Sequence, residues 1–407
     1  MAILSKGLEN YRQIQAVGFV MKIRTPSKYT LLGSSLALML QTNYRFVGPF
    51  GIGELLAVAF IILIIAQSML SQRGAIIEKP DTLTIQFIAI VCLIITPMTL
   101  LSSVMNLNGS SFRDLLSYFF VCAILLVLPK SQRDVSSMVV AFLLVTFFTI
   151  CAHYFFGGSK SYYHSRFTGG AKNPNQLGLY LAVAMVMLVQ IPNIWVRIII
   201  AALAIFFGVI SLSDAFLAGL AVSMSVFLLL TIVPLRIAPY AIPLFLIIGY
   251  IAVVNSALFD FFNAKWAHAD EGGARFQLYQ SALLAWFDTP LSMIFGHGAG
   301  SFSGLGRPFE GAEAHNTFLD LATIAGIFGI FIFPLRPLII GFESVLKKQR
   351  FAPAVLLGLI AFGLFHFVGR HPTFWVALVI LERVLREKAR PQKRQIPKYA
   401  NNQVVGA

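Results

Sequence analysis

Twelve apolar runs, each close to the length of helix that crosses a lipid bilayer, follow one another along the 407-residue chain. With 57% hydrophobic and only 12% charged residues, the composition excludes a soluble globular protein of this size. The sequence therefore predicts an all-α integral membrane protein in which residues 1–407 form a single polytopic membrane domain. The predicted spans lie at residues 29–44, 52–70, 82–102, 114–129, 135–155, 177–191, 195–213, 215–234, 238–256, 316–335, 351–368 and 372–385.

The segments that join these runs differ strongly in their content of lysine and arginine. If the N-terminus faces the cytoplasm, the cytoplasmic segments hold 22 of the 31 Lys and Arg residues. This bias predicts that both termini, including the basic tail 386–407, are cytoplasmic and that the large loop 257–315 lies on the outer face. The formal net charge of +14 then reflects topology and attraction to anionic phospholipid, and it does not indicate a nucleic-acid partner.

The outer half of the predicted topology holds all seven histidines together with a few isolated cations. Because that face is poor in lysine and arginine, these residues predict that any site lies there. No HExxH motif or comparable ligand spacing is present, so the sequence predicts no metal site. The histidines are His153, His164, His268, His297, His315, His366 and His371, and the cations are Arg166, Lys172, Arg275 and Arg370.

The segment RFTGGAKNPNQLG, which runs from Arg166 to Gly178, has a composition suited to binding an anion. Its glycines let the backbone approach a ligand closely, and Asn173 and Asn175 can cap the helix that follows. A helix N-terminus beside Arg166 and Lys172 is a site for phosphate or diphosphate. The alternative is that the segment only anchors two spans to lipid headgroups.

Residues 274–288, in the large loop, have apolar side chains at helical spacing and predict an amphipathic helix on the membrane surface, with Arg275 near its start. Such a helix either anchors the loop at the interface or presents Arg275 to a ligand. The glycine-rich run 296–306 lacks the spacing and the strand–helix context of a dinucleotide-binding motif. It predicts a flexible lid or turn over a ligand.

His315 and Asn316 stand at the entrance to the tenth predicted span, with Glu313 just before them and Asp320 about one helical turn further on. A neutral imidazole beside a carboxylate is able to accept a proton near pH 7. The alternative is that His315 packs against the protein or touches a headgroup. Arg370 opens the last span, where a cation more commonly extends to the lipid interface.

Four segments, in this order, resemble the O-antigen ligase and polymerase superfamily of bacterial membrane glycosyltransferases. The resemblance covers residues 166–330, and the twelve-span layout extends it over nearly the whole chain. It implies a metal-independent, largely helical enzyme without a cofactor, in the bacterial inner membrane, with a periplasmic active site. The implied donor is a glycan on undecaprenyl diphosphate, and the implied acceptor is lipid A–core or a second lipid-linked glycan. The four segments are RFTGGAKNPNQLG, GARFQLYQSALLAW, GHGAGSF and AHNTFLDLATIAGIFG.

By position, the resemblance assigns Arg166 and Arg275 to the donor diphosphate and His315 to the acceptor hydroxyl. The residue types support the same roles, because two arginines can hold a diphosphate bidentately while an imidazole takes a proton. The further expected contributors are Lys172, Asn173 and Asn175 at the diphosphate, and Glu313, Asn316 and Arg370 as supporting residues.

The choice between ligase and polymerase depends on the spacing of glycines. Ten residues separate His315 from Gly326, as in the pattern that describes ligases. The Arg–Gly spacing that describes polymerases is absent, because Leu177 and Trp286 stand where glycine is expected. We therefore expect transfer of O-antigen polysaccharide to lipid A–core in lipopolysaccharide biosynthesis, with polymerisation as the alternative. A transporter or flippase of lipid-linked sugars is less favoured, since the polar residues gather at one face and not at the midplane.

Overall fold

The computed structural model describes residues 27–47, 50–70, 79–106, 109–163, 165–234, 237, 240–242, 244, 270–302 and 312–387. This part of the chain is almost entirely helical. The helices are α1 (Tyr29–Leu38), α2 (Ile52–Leu70), α3 (Thr82–Ile90), α4 (Thr96–Asn106), α5 (Gly109–Leu126), α6 (Gln132–Phe156), α7 (Pro174–Met187), α8 (Ile194–Ser211), α9 (Asp214–Ile232), α10 (Asp270–Trp286), α11 (Pro290–Phe295), α12 (Thr317–Ile330), α13 (Arg336–Leu346), α14 (Phe351–Phe365) and α15 (Pro372–Glu387).

Two short antiparallel hairpins interrupt the helical connections. In the first, β1 (Arg45–Val47) pairs with β2 (Phe50–Gly51), and in the second, β3 (Tyr162–Tyr163) pairs with β4 (Arg166–Phe167). Arg166 therefore lies in an extended backbone segment just before α7. Short 3₁₀ segments cover Thr42–Tyr44, Gly158–Ser161 and Leu188–Gln190, and π-helical turns cover Val91–Ile95 and Phe331–Leu335.

Six of the described helical segments are long and apolar enough to cross a membrane. The chain is therefore a helical, membrane-embedded protein, as its apolar runs predict. Further helices, some of them shorter, lie on the other predicted runs, except that run 238–256 and tail 386–407 fall almost wholly outside the described residues. The six segments are Ile52–Leu70, Thr82–Ser102, Gln132–Phe156, Ile194–Ser211, Asp214–Ile232 and Thr317–Leu346.

Small residues bring α9 and α14 into close contact. A Cβ atom added to Gly219 would lie 2.6 Å from the carbonyl oxygen of Gly358, and one added to Gly358 would lie 2.5 Å from the carbonyl oxygen of Gly219. Helices in a membrane gain little from burying apolar surface, so close backbone approach through small residues supplies much of their packing energy. The α9–α14 pair fixes the position of Phe365, where α14 ends and the candidate site begins.

Ion pairs join the helix termini at one end of the bundle, here called the ionic end. Asp81, just before α3, accepts hydrogen bonds from Lys130 Nζ (2.7 Å) and Arg383 Nε (3.0 Å). Burial opposes ionisation of Asp81, but the bonds and charges of Arg383 and Lys130 outweigh it and lower its pKa. Arg336 pairs with Glu382 nearby. The topology prediction assigns Lys130, Arg336 and Arg383 to the cytoplasmic face. In the structure, the ion pairs of all three residues lie at the ionic end of the bundle.

Helix α12 is broken at Ala325 (φ −130°, ψ 15°) and Gly326 (φ 56°, ψ −139°). A break removes the helical partners of the preceding carbonyl groups, which cannot remain unpaired inside a membrane. The loop after α11 replaces those partners. The N–H of His297 donates to Thr323 O (2.8 Å), and the N–H of Gly298 donates to Ile324 O (3.0 Å). The loop and the broken helix therefore form one packed unit.

Gly326 is expected to tolerate no side chain, whereas Gly341 in the same membrane segment should tolerate one. At Gly326 an added Cβ would clash with Ile294 O and lie 2.7 Å from Phe295 N, at a φ of +56°. At Gly341 the nearest atom, Leu356 Cδ2, would be in ordinary contact at 3.4 Å. Gly326→Ala should lower the free energy of unfolding by about 3 kcal/mol. Apparent melting temperatures in detergent test this, and equal values for Gly326→Ala and Gly341→Ala would contradict it.

Candidate functional site

The segment 166–178 is held against the connection that follows α1. The side-chain amide of Asn43 donates to Ala171 O (2.8 Å), and the backbone N–H of Lys172 donates to Thr42 Oγ1 (2.8 Å). These contacts join parts of the chain that lie 128 and 130 residues apart. The turn before α7 is therefore fixed by tertiary contacts that no local motif predicts.

Arg166 uses part of its guanidinium to bind the C-terminus of α8. Its Nε donates to Ser211 O (3.2 Å), and its Nη2 donates to Leu212 O. Leu212 has a positive φ of 48°, which ends the helix and exposes these carbonyl groups. An arginine carries five N–H donors, so these two bonds orient the guanidinium and leave further donors for a ligand.

Asn173 and Asn175 are also engaged by the protein itself. Asn173 is the N-cap of α7, and its Oδ1 accepts from Gln176 N (2.9 Å). Asn175 Oδ1 accepts from Ser213 Oγ (2.8 Å). The Lys172 side chain is exposed, and within the described residues it forms no ion pair. The expected capping by Asn173 is present, but both asparagines act on the protein in this structure.

The start of α7 lies next to the end of α14. An added Cβ on Gly178 would lie 2.8 Å from Ser213 Oγ and 3.2 Å from Phe362 Cε2. The ring centroid of Phe362 lies 5.8 Å from that of His366, in the loop after α14. The group around Arg166 and Asn175 is therefore connected, through Phe362, to the histidines described next.

His315 has a backbone conformation that is uncommon for a residue with a side chain, with a φ of +54°. Asp320 supports the turn, because its carboxylate accepts from Ala314 N (2.9 Å) and Asn316 N (3.3 Å), the N–H groups on either side of His315. The His315 ring stacks on that of His366 at a centroid distance of 6.0 Å and an angle of 11°. Backbone strain of this kind collects at functional sites, where surrounding contacts maintain it.

The helix predicted at 274–288 is present as α10. Leu278 and Ala282 are buried, and Ala282 packs with Leu319 of α12, whereas Phe276 and Leu284 are exposed. Apolar side chains thus lie on more than one side of α10. One side packs against the protein, and another is exposed.

Arg275 lies in the first part of α10, close to the site. One turn after it, Tyr279 is hydrogen-bonded to Asn316, which also caps α12 by accepting from Leu319 N (3.2 Å). Burial raises the pKa of Tyr279, and the charge of Arg275 opposes that effect. Among the described residues Arg275 forms no ion pair with a carboxylate. The predicted pair of Arg275 and His315 is thus brought to one place.

Arg370 forms a bridge that the sequence does not predict. Its guanidinium pairs with Asp114, in the second turn of α5, and with Glu313, two residues before His315. Asp114 is 4% exposed, and the Arg370 side chain is 23% exposed. Arg370 is therefore a half-buried link between three segments, with its guanidinium bound to two carboxylates of the protein. Glu313 is likewise committed to Arg370.

The loop between α14 and α15 adds two histidines that the sequence did not single out. Burial lowers the pKa of His366 to about 3, and the neighbouring His371, His315 and Arg275 act in the same direction. Burial also lowers the pKa of His371 to about 4, with Arg370 and Arg45 adding to the effect. Both imidazoles are therefore neutral near pH 7.

Arg45, Asp114, His366 and His371 thus belong to the site although sequence reasoning gave them no role. The histidines carried a weak signal, since all seven of the chain's histidines fall on the predicted outer half. His164 and His268 lie outside the described residues. Nothing local distinguishes Arg45 or Asp114 from other charged residues near a span.

The neutral histidines should make stability depend on pH. In the unfolded chain His371 binds a proton with a pKa of about 6.5, whereas in the folded protein its pKa is about 4. The contribution of neutral His371 is thus complete above about pH 6.5 and is lost as the pH falls toward 4. We expect the apparent melting temperature to fall between pH 7.5 and pH 5, and His371→Asn to reduce that fall. An identical pH dependence in the variant would contradict the assignment.

The glycine run has a packed conformation where the structure describes it. Gly298 and Ala299 are buried, and Ala299 N donates to Thr99 Oγ1 (2.7 Å). His297 O accepts from Ser102 Oγ (2.6 Å). Residues 296–300 therefore form a packed turn between α4 and α12; residues 303–306 fall outside the described part.

The arrangement concentrates positive charge and neutral imidazoles at the end of the bundle opposite the ionic end. In the described ranges, no group of three or more His, Cys, Asp and Glu residues is placed to hold a metal ion. Such a site can bind an anion and can accept a proton from a neighbouring hydroxyl.

The fold and the site together define a helical membrane protein with a cationic, histidine-rich site at one end. No protein-family model matches the chain, and no curated protein matches it at a significant level.

Proposed function

We propose that the chain is a metal-independent glycosyltransferase of the O-antigen ligase type. It transfers a polysaccharide from undecaprenyl diphosphate to a hydroxyl of lipid A–core. The proposal joins the ordered resemblance over residues 166–330 to the charge distribution of the site. Under it the chain crosses the bacterial inner membrane twelve times, with cytoplasmic termini and a periplasmic active site, as the cation bias predicts.

One observation carries the proposal: Arg275 has no carboxylate partner in the described chain, although carboxylates lie near it. Glu313 and Asp114 pair with Arg370, and Asp320 accepts from backbone N–H groups. Within the described residues, the site therefore keeps a cation without a carboxylate partner beside His315 and His366. A buried or half-buried cation without a counter-charge favours binding of an anion, and a diphosphate is the anion that arginine holds well.

The proposed reaction exchanges one carbon–oxygen bond for another. The acceptor hydroxyl oxygen attacks the anomeric carbon of the glycan, and the bond from that carbon to the diphosphate oxygen breaks. Undecaprenyl diphosphate leaves with the bonding electrons, and His315 takes the proton of the hydroxyl. Arg275 and the remaining donors of Arg166 stabilise the negative charge that grows on the leaving diphosphate. Lys172, which is exposed, adds charge near the same oxygens.

Polymerisation of two lipid-linked glycans is the second candidate function. It stays a candidate because Gly326, on which the choice of a ligase depends, also has a structural role. The spacing of His315 and Gly326 favours a ligase. Yet Gly326 is required by the break in α12 and by the contact with Phe295, whatever the acceptor is. The same site would serve a polymerase if the acceptor hydroxyl belonged to a second lipid-linked glycan.

The testing experiment uses purified protein in detergent with a lipid-linked oligosaccharide donor, with and without lipid A–core, and a gel readout. A product that appears only with lipid A–core, carrying one donor chain, supports the ligase. A ladder from donor alone supports the polymerase. Absence of any glycan transfer, with ATP-independent movement of the donor across proteoliposomes instead, would replace both proposals by a carrier.

A further inference from the structure

The ring of His366 is buried and one of its nitrogens lacks a partner. The residue is 6% exposed, and within the part of the chain that the structure describes Nδ1 has no hydrogen bond. A buried polar atom left unpaired costs free energy, and each such atom in a native structure needs an explanation. A ligand that binds to this nitrogen is one such explanation.

The position of His366 is fixed by contacts on several sides. Its backbone carbonyl accepts from Thr317 Oγ1 (2.6 Å), and the same hydroxyl accepts from Val368 N (3.0 Å). The ring lies parallel to that of His315 and edge-on to that of Phe362. His366 is thus held beside His315, and a ligand that reaches one ring comes within reach of the other.

The charges around His366 indicate which kind of ligand fits. Arg275, His315 and His371 are all close enough to act electrostatically on the ring, and the ring of His315 stacks on it. A neutral imidazole has one N–H donor and one acceptor nitrogen. Beside Arg275, which has no carboxylate partner among the described residues, the N–H donor fits an anionic oxygen better than the acceptor nitrogen fits a hydroxyl, because the same cation attracts the anion.

We propose that His366 is a ligand of the donor's diphosphate and donates a hydrogen bond to it from Nδ1. The inference rests on the proposed function in one respect, the identity of the anion. It adds to that function a binding residue that lies outside the four segments of resemblance. Arg275 supplies the charge, and His366 supplies a directed neutral donor that selects the position of the oxygen.

The test measures the binding of undecaprenyl diphosphate to full-length protein in detergent, with undecaprenol as the control for the tail. Three variants separate the two ring nitrogens. The amide of His366→Asn takes the place of Nδ1, the amide of His366→Gln takes the place of Nε2, and His366→Ala removes both. We expect His366→Gln and His366→Ala to weaken binding roughly 10- to 100-fold, and His366→Asn to stay within about threefold of wild type.

A measurement on unaltered protein covers the case in which a variant fails to fold. Hydrogen exchange at the C2 position of each histidine, followed by mass spectrometry, reports on one ring at a time. Saturating undecaprenyl diphosphate should slow this exchange at His366 more than at His297, which is bound to Ala285 O (2.8 Å) away from the ligand.

The outcomes separate this inference from the proposed function. If wild-type protein binds undecaprenol as tightly as undecaprenyl diphosphate, the diphosphate site and this inference are both wrong. If wild-type protein prefers the diphosphate and the three variants bind it equally, or exchange at His366 does not change, the inference alone is overturned. Loss of binding in His366→Asn equal to that in His366→Gln also overturns it, because Nδ1 would then have no special role.

Discussion

Replacing Arg275 by alanine is expected to lower the rate of glycan transfer by about 100- to 1,000-fold, the loss typical of one electrostatic stabiliser of a transition state. The physical reason is the absence of any carboxylate partner for Arg275 in the described chain, so its charge is available to the ligand. The measurement is the gel-based transfer assay with purified protein. Arg275→Lys should recover only part of the rate, since lysine keeps the charge but cannot bind two oxygens side by side.

The matched control for this experiment is Arg350→Ala. Arg350 is an exposed arginine at the start of α14, at the end of the bundle opposite the site. It should retain wild-type transfer, which separates a general effect of lost cationic charge from a local one. Both variants should elute as folded, monodisperse protein. Full transfer by Arg275→Ala would remove Arg275 from the proposed mechanism.

Replacing His315 is expected to cost about 100- to 10,000-fold in transfer rate, the range for a general acid or base. The choice of substitution matters, because His315 has a φ of +54°. Asparagine adopts this conformation more readily than most residues, so His315→Asn removes the imidazole while keeping the turn. Binding of undecaprenyl diphosphate should change little in this variant, because the proposed role of His315 concerns the acceptor.

His315→Gly supplies a second arm that separates proton transfer from positioning. Glycine accepts the positive φ and leaves space where the ring stood. If His315 takes the proton, added imidazole should restore part of the transfer rate in His315→Gly. Normal transfer by His315→Asn would exclude a base at this position, and a complete lack of rescue would favour positioning of the acceptor.

Much of the architecture could be predicted because hydrophobicity is a local property. Each run of apolar residues predicts a helix by its length and composition alone, and helices lie on the runs wherever the structure describes them. The helix carrying Arg275 could be predicted from spacing in the same way. The burial of this helix could not be predicted, because the contact of Ala282 with α12 depends on how two distant segments pack.

The site could be predicted only for residues that belong to the four segments whose order along the chain carries the resemblance. Arg275, His315 and Asn316 were expected together, and the structure brings them together. Arg166 was expected to face a ligand directly, yet two of its donors bind the carbonyl groups of Ser211 and Leu212. That contact depends on where α8 ends, which the apolar run placed only to within a few residues.

The sequence by itself determined that this chain is a bundle of membrane helices, and its cation bias predicts that the histidines and a few cations lie toward one face. Only the tertiary structure decided which charges are already paired. Arg370 pairs with both Asp114, far away in the chain, and Glu313. Within the described residues, Arg275 then has no carboxylate partner. The physical reason is that hydropathy acts over one helix length, whereas the pairing of a buried charge depends on which residues of other helices come within a few ångströms of it.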